Sequence, residues 1–270
     1  MRSLIRRSYP PLLNNKQSYL NLRLTDLKNL KNRESIAAPQ YAHAHYLGYG
    51  VHRYFDSTSR PIYITMLRNP EARFRSLFRR TPEENGGFRS VRHGLDSLFS
   101  DINQRTFTGP QLKILKRAKI DNVMTKTLGC RDGLLNLEEK TSCTLETYEL
   151  AQERLLKRID TIMISERFDE SVLLLQKILN LRSPYYRRVN TGNVPYSANS
   201  QNEDLTDFIL SRDHYDCKLY TTAVERFDSM IRERFQNIEQ DLGRYRWRNR
   251  IIGNVFHVWD NVSPIKFFYK

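Results

Sequence analysis

Apolar and polar positions along this chain change their spacing several times, and each change marks an element. Residues 61–67, Pro-Ile-Tyr-Ile-Thr-Met-Leu, form a short run of mostly apolar, β-branched and aromatic side chains that ends on Arg68. A run of this kind suits a strand buried in a parallel sheet. The pattern then turns helical. Asn69 is a capping residue, Pro70 suits the first helical position, and Phe74, Leu77 and Phe78 fall on one face that packs inward. Arg73 and Ser76, three apart, share a neighbouring face near the helix start. Residues 144–158 repeat Leu145, Tyr148, Ala151 and Leu155 at the spacing of one buried helical stripe. Residues 159–165 read as a second strand, and Asp169 as the cap of the helix in "ESVLLLQKILNL". One long amphipathic helix is expected over 213–242, with Leu219, Ala223, Phe227, Met230, Ile231 and Phe235 as its apolar side. The aromatic C-terminal segment "VFHVWDNVSPIKFFYK" reads either as a final edge strand or as a surface strap.

Other stretches carry weaker signals. Residues 1–36 are polar with short apolar spots and read as a basic lead-in or helical arm. Residues 37–270 read as a single domain. Residues 83–140 lean helical, broken by Gly86-Gly87 and Pro110, and residues 183–202 form a Pro/Asn/Ser-rich loop holding Arg187, Arg188 and Asn190. The succession helix, strand, turn, helix is the repeating unit of an α/β fold, a parallel sheet flanked by helices.

Charge narrows the partners. Lys and Arg number 44 against 30 Asp and Glu in 270 residues, a formal net charge of +14. A field of that sign favours anions such as nucleic acid, phosphorylated cofactors, acidic glycans or anionic membrane. The sequence carries no recognised nucleic-acid-binding signature, and its aromatics do not interleave with the basic runs as stacking platforms would. No run of 18 apolar residues spans a bilayer. Two basic clusters, Arg79-Arg80 and Arg244, Arg246, Arg248 and Arg250, are solvated faces or attractors of an acidic glycan. Asn261-Val262-Ser263 is a glycosylation sequon weakened by Pro264. Cys130, Cys143 and Cys217 lack zinc spacing. Cys130 and Cys143 are placed to close a loop of about 14 residues, worth ~3 kcal/mol as a disulfide. The alternative is three buried thiols.

Chemistry concentrates at Arg68. Ligands of open α/β sheets sit beyond the carboxyl ends of the strands, and Arg68 leaves its strand at that edge. The helix that follows offers backbone N–H groups and a positive dipole end, which suit a phosphate. Arg68 can give a phosphate two charge-assisted hydrogen bonds and Ser76 a third. The plainer alternative pairs Arg68 with a carboxylate and leaves Ser76 in solvent.

The stretch "YITMLRNPEARFRSLF" resembles the motif by which Golgi carbohydrate sulfotransferases hold the 3′-phosphate of their donor, 3′-phosphoadenosine 5′-phosphosulfate: an apolar strand, Arg68, Asn69, Pro70, then Arg73 and Ser76 in the helix. "YAHAHYLGYG" resembles the family's His-containing segment upstream. "IDTIMISERFDESVLLLQKIL" resembles its later strand and helix, and "DCKLYTTAVERFDSMI" its Leu-Tyr helix. In order, these stretches span residues from about 40 to 240 of the chain. The Phe-Asp-Glu-Ser helix and "LRNP" look like galactose 3-O-sulfotransferases, whereas "HAHYLGY" and the cysteine loop look like uronyl 2-O-sulfotransferases.

The resemblance implies a P-loop-like sulfotransferase fold, transfer of a sulfuryl group to a glycan hydroxyl, and a Golgi lumenal location. It implies a histidine base, since a hydroxyl needs one and the unperturbed histidine pKa lies near working pH. Alignment on "HAHYL" favours His43, and counting back from Arg68 favours His45. No third ligand near them suggests a metal. The resemblance further assigns Arg187 and Arg188 to the donor and pairs Cys130 with Cys143, as cysteines pair in a comparable place in the 2-O branch. One family element is missing from the residues: a Gly/Ser/Thr-rich phosphosulfate loop with a lysine. The first glycine is Gly48. The expectation is therefore an N-terminally truncated sulfotransferase whose loop and membrane anchor lie outside this chain, or a non-catalytic glycan-binding relative.

Overall fold

The computed structural model describes residues 19–21, 36–37, 41–43, 48–56, 60–79, 91–99, 108–131, 142–181, 184–186 and 203–262, with only the backbone described in the first three short strands and from 253 onward. Its elements in chain order are strands β1 (Tyr19–Asn21), β2 (Ile36–Ala37), β3 (Tyr41–His43), β4 (Phe55–Asp56) and β5 (Ile64–Leu67), helices α1 (Pro70–Arg79), α2 (Val91–Phe99), α3 (Gly109–Ala118), α4 (Val123–Gly129) and α5 (Leu145–Lys157), strand β6 (Thr161–Ile164), and helices α6 (Phe168–Leu179), α7 (Glu203–Arg212), α8 (His214–Arg234) and α9 (Ile238–Val262). The described chain is mostly helical with small parallel sheets, an α/β arrangement. β1 pairs with β3, β2 with β4, and β5 with β6, all parallel. β1 lies within the segment expected to be a lead-in or helical arm. Three residues are too few to carry a period-two signal.

β5 and β6 run in register from Ile64 opposite Thr161 to Leu67 opposite Ile164. Their starts are pinned by Asp160, whose carboxylate accepts from the Tyr63 N–H at 2.8 Å and from Arg60 at 3.0 Å. The strand begins at Ile64 rather than at Pro61, which has no N–H to give a ladder. β6 is buried throughout, whereas β5 buries Leu67 and exposes Met66. At the far end Ser171 closes β6: its hydroxyl accepts from the Ile164 N–H at 2.9 Å and donates to the Ile164 carbonyl at 3.0 Å. A side chain thus stands in for the next strand.

The main core gathers around β6. Ala151 and Leu155 of α5, Val172, Leu174 and Leu175 of α6, and Leu219, Ala223 and Phe227 of α8 are fully buried there. A second cluster joins Phe74 and Phe78 of α1 to Ile114, Leu115 and Ala118 of α3 and Ile209 of α7. α4 crosses α5 so closely that a Cβ on Gly129 would meet the Thr147 carbonyl oxygen at 2.4 Å. The Arg154 guanidinium, buried in this crossing, donates to the carbonyls of Leu128 and Cys130 at 2.7 and 2.6 Å and so ends α4.

Four local expectations are corrected. Leu145 is 57% exposed, because it is the first helical residue beyond the Thr144 cap and stands outside the stripe's reach. Asp169 does not cap α6. It lies buried in the first turn, accepting from the Tyr186 hydroxyl at 2.6 Å and Arg246 at 3.1 Å. The single long helix is two, parted at Phe235, whose backbone is extended and whose N–H still reaches Ile231. Asn237 restarts the helix by accepting from the Gln240 N–H at 3.1 Å. Residues 255–262 continue α9 rather than forming a strand or strap, consistent with Val255, Val258 and Val262 recurring at helical spacing. Apart from these four, Cys130, Cys143 and Cys217 stand as free thiols: the Cys130 thiol donates to the Thr127 carbonyl at 3.0 Å, and burial pushes the Cys143 thiol up to about 12.

Candidate functional site

The shared register of β5 and β6 brings their carboxyl ends to one edge, where Arg68 follows one strand and Ser165–Arg167, a short 3-10 turn, follows the other. Asn69 caps α1 as expected: its side-chain oxygen accepts from the Ala72 N–H at 3.1 Å and its carbonyl from the Arg73 N–H at 2.8 Å. Pro70 fills the first helical position, where no N–H is needed. The helix start therefore sits at the sheet's open edge beside Arg68.

Arg68 is less than half exposed, and its Nε lies 3.8 Å from Glu166 Oε1. That nitrogen is buried and has no hydrogen-bond partner. The guanidinium is thus ion-paired with Glu166, as the plainer alternative has it, though without a hydrogen bond at its Nε. Glu166 spends its oxygens elsewhere, accepting from the Asn69 N–H at 3.1 Å and from the Tyr220 hydroxyl at 3.0 Å. Burial and the Glu166 charge push the Tyr220 phenol well above its ordinary range, so it stays a donor. Next to this corner, Arg167 bridges Glu170 and Asp228 and lies over the Phe227 ring at 4.8 Å. Its hydrogen bonds to Glu170 hold it firmly protonated.

Arg73 faces another way. Its Nη2 lies 3.6 Å from Asp213, a fully buried carboxylate, and its Nε is buried without a hydrogen bond. Arg212 stacks over Phe74 and Phe208 at 5.6 and 5.5 Å, both its terminal nitrogens lacking hydrogen bonds, and burial lowers its pKa. Asp213 accepts from the Asn122 N–H at 2.7 Å, and Asp216 takes the N–H groups of Met124 and Thr125 at the start of α4. Burial raises the Asp216 pKa. The chain meets the anion preference of a helix start with its own carboxylate here.

The structure therefore brings together Arg68, Asn69, Glu166 and Tyr220, and separately Arg73, Arg212 and Asp213. Ser76 is half-buried on α1, three residues beyond Arg73. His43 ends β3, its backbone opposite Asn21, and its side chain lies outside the described residues. So do His45, Arg187 and Arg188. Among the described residues no cluster of three His, Cys, Asp or Glu side chains is placed to hold a metal ion.

No protein-family model, curated protein or solved structure matches the chain.

Sequence reasoning missed Glu166, Tyr220, Arg212 and the buried aspartates. Glu166 had a signal: once two parallel strands are aligned, the residues just past each must share an edge. The hydrogen bond between the Tyr63 hydroxyl and the His52 Nδ1, 2.6 Å apart at the opposite end of β5, had none.

Proposed function

We propose that this chain is a carbohydrate O-sulfotransferase-type domain, and that its Arg68 corner holds the 3′-phosphate of 3′-phosphoadenosine 5′-phosphosulfate. The observation carrying the reading is that Arg68 stands at the joint carboxyl end of two parallel strands, beside a capped helix start, with its Nε lacking a hydrogen bond. The side chain is 43% exposed, and the exposed part of the guanidinium can give a phosphate charge-assisted hydrogen bonds while the buried Nε stays beside Glu166. The described residues fit the phosphate half of the donor through Arg68. Arg73, held toward Asp213, fits it less directly.

In the reaction so assigned, His43 or His45 takes the proton of an acceptor hydroxyl, the 3-OH of a galactose or the 2-OH of a uronic acid. The hydroxyl oxygen bonds to sulfur as the sulfur–oxygen bond to the donor phosphate breaks. Adenosine 3′,5′-bisphosphate leaves with the electron pair. Arg187 and Arg188 are assigned to the donor, a glycosaminoglycan, glycoprotein or glycolipid is the acceptor, and the Golgi lumen is the location, all on the family resemblance. A second reading is a glycan-binding relative without transfer, favoured by the Glu166 carboxylate 3.8 Å from the Arg68 Nε, whose charge opposes a donor phosphate.

Calorimetry tests the phosphate assignment. Adenosine 3′,5′-bisphosphate is expected to bind and adenosine 5′-monophosphate to bind more weakly. Loss of the bidentate partner in Arg68→Ala is expected to weaken the bisphosphate about tenfold to a hundredfold. Equal affinity of both nucleotides contradicts the assignment. Sulfuryl transfer to a desulfated glycan then separates enzyme from binder.

A further inference from the structure

Helix α9 presents two apolar faces, and among the described residues only one has a partner. On the inner face Leu242 and Tyr245 are buried, the Tyr245 hydroxyl donates to the Pro184 carbonyl at 2.9 Å, and Asn249 accepts from the Tyr186 N–H at 2.6 Å. The opposite face of such a helix is normally polar. Here Trp247 is 66% and Ile251 53% exposed, four residues apart and therefore side by side. Arg244 stands three residues before Trp247 and Arg248 three before Ile251, both exposed. The backbone stays helical through Val262, and in the sequence Val255, Val258 and Val262 continue the helical spacing of Trp247 and Ile251.

We propose that this outer face of α9 docks on the surface of an anionic phospholipid bilayer, the helix lying in the plane of the interface. Two features must be met together: an exposed Trp–Ile pair that gains from leaving water, and arginines beside it that want negative charge. An acidic glycan offers the charge but no apolar layer. A second copy of the chain offers the apolar layer, but a self-complementary contact sets each arginine-bearing face against its equal. A lipid surface offers both, with indole at headgroup depth and arginine stems reaching up to phosphates. The net charge of +14 draws the whole chain the same way. Among the described residues no helix is long and apolar enough to cross a membrane, and the docking needs no crossing. The inference stands apart from the Arg68 corner and from the lumenal location proposed with it, since the anionic leaflet is the cytoplasmic one.

The test uses the full chain with Trp259→Phe, which leaves Trp247 as the sole tryptophan. Adding phosphatidylserine-containing vesicles is expected to shift its emission to the blue and to sediment the protein, far more than pure phosphatidylcholine does. In the parent chain, Trp247→Ser and Ile251→Ser are each expected to lower vesicle partition about tenfold, and Arg248→Gln about fivefold. These positions are exposed, so circular dichroism should show an unchanged fold. Heparin binding with unshifted tryptophan emission and no vesicle binding overturns the proposal in favour of a glycan. A concentration-dependent dimer abolished by Trp247→Ser, again without vesicle binding, overturns it in favour of self-association.

Discussion

The Glu166 carboxylate accepts the backbone N–H of Asn69 at 3.1 Å, across the open end of β5 and β6. An acidic side chain thus fastens the turn that an anion would approach, 3.8 Å from the Arg68 Nε. Its charge opposes the ligand while its hydrogen bonds hold the site's shape. Glu166→Gln keeps an oxygen for the Asn69 N–H and removes the charge. The expected result is an affinity for adenosine 3′,5′-bisphosphate raised about fivefold, in line with a partly exposed pair. Titration calorimetry of the variant checks it, and weaker binding would place the phosphate elsewhere.

Ser171 carries the end of β6. Its hydroxyl satisfies both backbone groups of Ile164, and both residues are fully buried. Ser171→Ala leaves an N–H and a carbonyl without partners, each costing ~1–3 kcal/mol. Urea unfolding should show a loss of about 2–4 kcal/mol, whereas a loss within experimental scatter would mean that another group closes the strand.

These two residues mark the line between what was legible in the sequence and what was not. The run ending at Arg68, the Asn69 cap with Pro70, and the inward Phe74 and Phe78 follow from local spacing and chain chemistry, and the structure keeps them. The apolar side of α8 was readable for the same reason, down to Phe235. What escaped depends on contacts distant in sequence. Asp169 has the chemistry of a cap, yet it serves Tyr186 and Arg246 instead. Leu145 fits the stripe by number but lies beyond the core's end. The break at Phe235 has no glycine or proline to announce it. Glu166 becomes visible only once β6 is laid beside β5.

Asp213 is the buried counter-charge of a half-buried basic pair. It lies 3.6 Å from Arg73, accepts the Asn122 N–H at 2.7 Å, and adjoins Arg212. Removing one partner of such a set strands the others. Asp213→Ala should destabilise the chain by about 3–5 kcal/mol, with Asp213→Asn costing less because it keeps an acceptor for Asn122. Chemical denaturation of both variants measures the difference.

His52 should impose a pH dependence. The Tyr63 hydroxyl accepts from the N–H groups of Gly50 and His52 at 3.1 and 3.3 Å, so its own proton points to the His52 Nδ1, 2.6 Å away. That requires neutral imidazole, and burial, aided by Arg53, lowers its pKa below the ordinary 6.5. The unfolded chain then binds more protons than the folded one just below that value. Stability present above pH 6.5 should fall as acid takes the chain through the window between 6.5 and the lower folded pKa. Melting temperature measured against pH should show this fall in the parent chain and a flatter profile in His52→Gln. Matching profiles would assign the acid sensitivity to another group.

The central claim rests on one guanidinium, and calorimetry of Arg68→Ala beside the parent chain addresses it most directly. The account predicts that the parent binds adenosine 3′,5′-bisphosphate and that the variant, folded and melting normally, loses most of that affinity. Equal heats of binding in the two proteins would contradict it.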